Sequence, residues 1–158
     1  MKHKALILTL LVSAGFAVEA VACGDSLYRV GKGVSYRVYT APLPGSVLVY
    51  GQTDGAKQLA EELARSGHGV RLVSDSTELE SELQTGGYDV VIAAYSDHTT
   101  VETMEAAAAN TSTTFIPVAE SEEEEALAKQ SYNQVLMAQK DDIKNYLKAI
   151  HRTLKAKT

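Results

Sequence analysis

The sequence predicts a three-layer α/β sandwich built on a five-stranded parallel sheet. The run Tyr88-Asp89-Val90-Val91-Ile92-Ala93-Ala94 is apolar and β-branched, and no polar residue alternates through Val90 to Ala94. A strand covered by helices on both faces reads in this way. Amphipathic segments flank it. Thr77 to Gln84 sets Leu79 and Leu83 one helical turn apart, and Asp97 to Ala109 sets Val101, Met104 and Ala108 at helical spacing. Strand and helix then alternate along the chain, which is the pattern of βαβ units. A length of 158 residues suits one domain. In such sheets function concentrates at the carboxyl ends of the strands, here the edge marked by Ala94, Tyr95 and Ser96.

The first residues describe export. Lys2 and Lys4 precede the apolar run Ala5 to Val18, and Ala20-Val21-Ala22 is a small-x-small cleavage site. Residues 1–22 therefore read as a secretory signal peptide, too short in its apolar part for a membrane span. The mature chain would begin at Cys23 in the periplasm and carry no transmembrane helix. Cys23 is the only cysteine, so no intramolecular disulfide forms. It is either an acylation site that anchors the protein at a membrane or the first residue of a soluble chain. Ala20 and Glu19 depart from a bacterial lipobox.

Residues 23–45 form an N-terminal extension. Ser26-Leu27-Tyr28-Arg29-Val30 and Val34-Ser35-Tyr36-Arg37-Val38-Tyr39 surround Gly31-Lys32-Gly33, a hairpin pattern. Tyr28, Arg29, Tyr36 and Arg37 are residue types enriched in binding surfaces, and they suit equally a hairpin packed on its own sheet. Pro42-Leu43-Pro44-Gly45 then opens the main domain, residues 46–158.

Val47-Leu48-Val49-Tyr50 is the first strand, and Asp54 is placed to cap the helix carrying Ala56, Leu59, Ala60 and Leu63. Gly67 ends that helix. Val70 to Val73 is the second strand, and Asp75 or Ser76 caps the second helix. After the third strand, Ser96 is the expected cap of the third helix. Thr114 to Val118 is the fourth strand, with Pro117 expected near its end. Glu122-Glu123-Glu124-Glu125 opens a short helix, where the dipole favours acids. Asn133 to Met137 is the expected fifth strand, although residues 120–155 also read as one or two long helices. The last helix, Asp141 to Lys155, carries a buried stripe of Ile143, Leu147, Ile150 and Leu154. Lys144, Lys148 and Arg152 form a separate basic stripe at four-residue spacing.

This organisation from Ser46 to Leu154 resembles a response-regulator receiver domain. The resemblance rests on Val47-Leu48-Val49, Leu59 to Gly69, Tyr88 to Ile92, and Val135-Leu136 leading into a terminal amphipathic helix. It implies the strand order 2-1-3-4-5. It also implies five functional groups, and each is replaced. Gly51 and Gln52 stand where two Mg²⁺-binding acids follow the first strand, and Ala94 replaces the phospho-accepting Asp. Ala119 replaces a Thr or Ser, and Ala138 replaces a Lys, with Lys140 slightly displaced. Without a carboxylate nucleophile no aspartyl phosphate forms, and without the acid pair Mg²⁺ lacks its preferred ligands. The resemblance therefore implies a pseudo-receiver: a non-catalytic module that binds an envelope protein or an anionic membrane surface and takes no cofactor. Receivers present their later helices and strands to partners, which points to the basic stripe. The charge preference of a helix C-terminus explains the stripe as well.

A second resemblance competes. Val49-Tyr50-Gly51-Gln52-Thr53-Asp54-Gly55 is similar to the phosphate loop of a flavodoxin, which implies an FMN-binding redox carrier with Tyr95 stacked on the flavin. Thr53 and Gly55 fit, whereas Asp54 puts negative charge where a phosphate would sit.

The remaining constellations favour structure. Ser96-Asp97-His98 are adjacent, so they cannot meet as a triad. His68, His98 and His151 lack metal-ligand spacing. The net charge is −5, and the body from Ser46 to Ala138 is acidic apart from Lys57, Arg65, Arg71 and Lys129. That balance argues against nucleic-acid binding.

Overall fold

The computed structural model describes residues 40–108 and 112–158. The signal-peptide segment, Cys23, and the hairpin residues Tyr28, Arg29, Tyr36 and Arg37 lie outside the described residues. The main domain follows the order β1 (Ser46–Tyr50), α1 (Asp54–Arg65), β2 (Gly69–Val73), α2 (Ser76–Thr85), β3 (Val90–Ala94), α3 (His98–Ala107), β4 (Thr114–Ala119), α4 (Glu122–Ser131), β5 (Leu136–Met137) and α5 (Ile143–Lys157). The strands form one parallel sheet in the order β2-β1-β3-β4-β5. This is a doubly wound α/β fold of the flavodoxin and receiver type.

The alternation of side chains along each strand builds two cores. Val47 and Val49, Val90 and Ile92, and Ile116 and Val118 pack on one face with Leu59 and Leu63 of α1 and Tyr146, Ile150 and Leu154 of α5. Leu48, Val91, Ala93 and Phe115 point to the other face, where Leu79 and Leu83 of α2 and Val101 of α3 cover them. The even burial of Val90 to Ala93 follows from this double cover. Truncating Leu59 or Ile92, both fully buried, would cost about 2–5 kcal/mol.

The local details revise several expectations. Thr53, not Asp54, caps α1: its Oγ1 accepts from Ala56 N–H at 3.1 Å. Asp54 is the first helical residue and pairs with Lys57 at 3.1 Å. Tyr95–Asp97 form a 3-10 turn, so α3 starts two residues after Ser96, and no side chain caps it. The fifth strand exists but holds only Leu136 and Met137. Gln134 turns away, its Nε2 donating to Thr153 Oγ1 at 2.9 Å. Asp141 Oδ2 accepts the Met137 N–H at 2.7 Å, satisfying a donor on this edge strand. Tyr146 is fully buried in α5, whereas Ile143 is only partly buried.

Pro117 sits inside β4, opposite Ala93 of β3. Thr114 N–H turns towards β3, bonding Asp89 O, and Ala119 O turns towards β5, accepting from Ala138 N–H. Alternation between them aims the Pro117 nitrogen at the β5 side. β5 pairing begins only at Val118, so no ladder bond is lost there.

Residues 41–45 seat the entry to the domain at the amino edge of the sheet. Ala41 N–H donates to Ser66 O at 2.7 Å, and Gly45 N–H donates to His68 Nδ1 at 3.1 Å. A Cβ on Gly45 would lie 2.7 Å from Leu154 Cδ1, so only glycine lets the chain pass this close without a shift. Gly67 turns the chain out of α1 with φ +99°, a conformation that glycine adopts without penalty.

Candidate functional site

The carboxyl edge gathers the positions that the sequence singled out. Gly51 leaves β1 with its N–H bonded to Val73 O at 3.0 Å, and Gln52 Nε2 donates to Ser74 O at 2.8 Å. Ala94 closes β3, Ala119 closes β4, and Ala138 follows β5. Ala119 and Ala138 are buried. These three offer methyl groups alone, so the edge holds neither a nucleophile nor a general base at those positions. Lys140 does not reach across the edge; its Nζ pairs with Glu122 Oε1 at 2.8 Å, and that hydrogen bond raises its pKa.

The acids near the edge are engaged elsewhere or isolated. Asp75 Oδ1 accepts from Glu78 N–H and caps α2. Burial pushes the Asp97 carboxyl above its ordinary range. Burial, with Asp97 and Asp75 nearby, raises the Tyr50 phenol likewise. Among the described residues, no group of three or more His, Cys, Asp and Glu is placed to hold a metal ion. The Tyr95 ring is stacked on His98, with centroids 4.6 Å apart and planes 8° apart. The Thr53 hydroxyl oxygen, the fitting group for an FMN phosphate, already accepts the Ala56 N–H.

The outer face of α5 is different. Lys144, Lys148 and Arg152 are all exposed, on the side opposite the buried Tyr146, Leu147, Ile150 and Leu154. Among the described residues none of the three forms an ion pair or hydrogen bond. Every described Lys or Arg before α5 has a carboxylate partner: Lys57 with Asp54, Arg65 with Glu62, Arg71 with Glu78 and Glu82, Lys129 with Glu125, and Lys140 with Glu122.

Two neighbouring clefts open beside this helix. The smaller, about 270 Å³, is lined by Lys129, Asp141, Asn145, Lys148 and Arg152. Lys129, Lys148 and Arg152 outnumber the one acid, Asp141, in this lining, so the cleft presents net positive charge. The larger, about 430 Å³, lies at the amino end of β4 and shares Asn133, Gln134 and Arg152 with the first. The sequence signalled Lys148 and Arg152 through their spacing. It gave no signal for Asn133, Gln134 or Glu105, because lone polar residues acquire a cleft only through the packing of distant elements.

No family model and no curated protein matches the chain. Among the described residues no helix is long and apolar enough to cross a membrane.

Proposed function

We propose that this chain is an exported, non-catalytic interaction module, a pseudo-receiver that binds through the basic face of α5. The observation that carries the reading is the row Lys144, Lys148 and Arg152, exposed and unpaired among the described residues, whereas every described Lys and Arg before α5 is paired. Like charges four apart on a helix repel by a few tenths of a kcal/mol per pair. A partner of opposite charge relieves that repulsion and gains Coulomb energy, and steering by such a row speeds encounter. The replacement of the phosphotransfer positions by Gly51, Gln52, Ala94, Ala119 and Ala138 supports a role without chemistry. The signal-like residues 1–22 support work in the periplasm, with Cys23 as candidate lipid anchor.

An acidic envelope protein and an anionic membrane surface offer the same complementary charge, and one experiment has an arm for each. The full chain and its Lys144→Glu/Arg152→Glu variant are tested by cross-linking in envelope extracts and by sedimentation with phosphatidylglycerol vesicles. Mass spectrometry of the same envelope material reads the mature N-terminus and any acyl mass on Cys23. The wild type should bind in one arm, weaken between low and high salt as screening grows, and lose binding on charge reversal while keeping its thermal midpoint. Binding that survives both charge reversal and high salt would overturn the reading.

A further inference from the structure

The larger cleft contains a carboxylate that its surroundings do not complete. Glu105 of α3 lines it, with Oε1 sealed from solvent and without a hydrogen-bond partner. Its neighbours are committed elsewhere. The Glu102 carboxylate accepts the Tyr132 hydroxyl. Lys157 Nζ donates to the carbonyl oxygens of Asp89 and Ser112. A second acceptor, Gln134 Oε1, is also buried and unpartnered, while the Nε2 of the same amide is held by Thr153. The Phe115 and Tyr132 rings stand edge to face, 5.4 Å apart, in the same lining. Arg152, unpaired and exposed, also lines the cleft.

These groups prescribe the chemistry of a guest. Lys157 attracts the Glu105 carboxylate but donates its hydrogen bonds elsewhere, so a cation arriving through the cleft would add the direct charge-assisted bond that this buried oxygen lacks. Aromatic walls favour an organic ammonium through their ring quadrupoles. A cation alone would meet the opposing charge of Arg152, whereas a guest that also bears a carboxylate would satisfy it by a paired contact. A cleft of about 430 Å³ suits a molecule of amino-acid size. We propose that this cleft binds a small zwitterion, with its ammonium on the Glu105 carboxylate and its carboxylate on Arg152. This site shares Arg152 with the basic face of α5 but does not rest on that face binding a partner.

Burial, reinforced by Glu102 and opposed by Lys157, pushes Glu105 up to about 7. The ammonium pairs with ionised Glu105, so binding should strengthen as pH rises through that value. From pH 6 to pH 8 the ionised fraction of such a group rises about tenfold, and affinity should follow.

The test uses the isotope-labelled full chain titrated by NMR with γ-aminobutyrate, n-butylamine and butyrate. γ-Aminobutyrate should bind most tightly and shift the amides of Glu105, Tyr132 and Gln134. Butylamine should bind more weakly, and butyrate should leave those amides unmoved. Glu105→Gln, nearly isosteric, should keep the thermal midpoint, weaken γ-aminobutyrate binding at least tenfold and abolish its pH dependence. Arg152→Gln should reduce γ-aminobutyrate to the level of butylamine. The proposal is overturned by butyrate shifting these amides as much as γ-aminobutyrate does. It is equally overturned by undiminished affinity in either variant, or by no saturable shift with any probe up to tens of millimolar. Vesicle or partner binding by α5 is read in a separate assay, so failure of one site does not imply failure of the other.

Discussion

His68 ties the domain entrance to the turn between α1 and β2. It is buried, and its Nδ1 accepts the Gly45 N–H, so the neutral ring carries its proton on Nε2. Burial lowers its pKa, against a smaller opposing pull from Asp89. Protonation would also put a hydrogen against the Gly45 N–H. A pKa depressed in the folded state means that the unfolded chain binds the proton more readily. The contribution of His68 is therefore complete above the unfolded value near 6.5 and is lost as pH falls through the lower folded value. Urea midpoints at pH 7.5 and pH 5.5 should show a drop in the wild type that His68→Asn reduces. An equal drop in both would show that other groups carry it. None of this was legible in the sequence, where His68 stood only as a residue without metal-ligand spacing. The bond to Gly45 spans 23 positions and exists only because the sheet brings its amino edge together. Tyr146 stood outside the expected stripe of Ile143, Leu147, Ile150 and Leu154, yet the fold buries it completely.

At the scale of the element, four of the five α-helix starts among the described residues are built from side-chain caps, and α3 is the exception. Thr53, Asp75, Ser121 and Asp142 each accept a backbone N–H three residues on. Around α4 the capping is reciprocal: Ser121 Oγ takes the Glu124 N–H, and Glu124 Oε2 takes the Glu120 N–H at 2.8 Å. The four-glutamate run is thus a helix start with one carboxylate used structurally. Ser121→Ala should lower stability by about 1 kcal/mol in urea unfolding, and Ser121→Gly by only a few tenths. No loss in either variant would mean that the cap bond contributes little. Element type was readable wherever apolar periodicity was strong, as in Val90 to Ala94 or the α1 stripe. Boundaries were not, because they depend on which of several adjacent polar residues reaches a backbone N–H. Thr53 won over Asp54, and the 3-10 turn at Tyr95–Asp97 displaced the expected Ser96 cap. The shortness of β5 depends on tertiary partners, since Gln134 and Asp141 bond outside the ladder.

At the scale of the whole molecule, the parallel sheet follows from alternating buried strands and amphipathic helices and was legible in them, whereas its order 2-1-3-4-5 was legible only through the receiver resemblance that implied it. The basic stripe was legible as spacing, but its lack of ion pairs was not. Pairing at Arg71 or Lys140 is settled by where β2 meets α2 and where β5 meets α4. The clefts were invisible for the same reason. The central claim is that this scaffold works by binding and that its carboxyl edge performs no phosphotransfer. The most direct test incubates the full chain with acetyl phosphate and Mg²⁺ and weighs it intact before and after hydroxylamine. No added phosphate is predicted, for the wild type and also for Ala94→Asp, because Gly51, Gln52 and Ala138 still leave the metal and lysine positions empty. A stoichiometric, hydroxylamine-sensitive phosphate on any aspartate of the wild type would contradict the account.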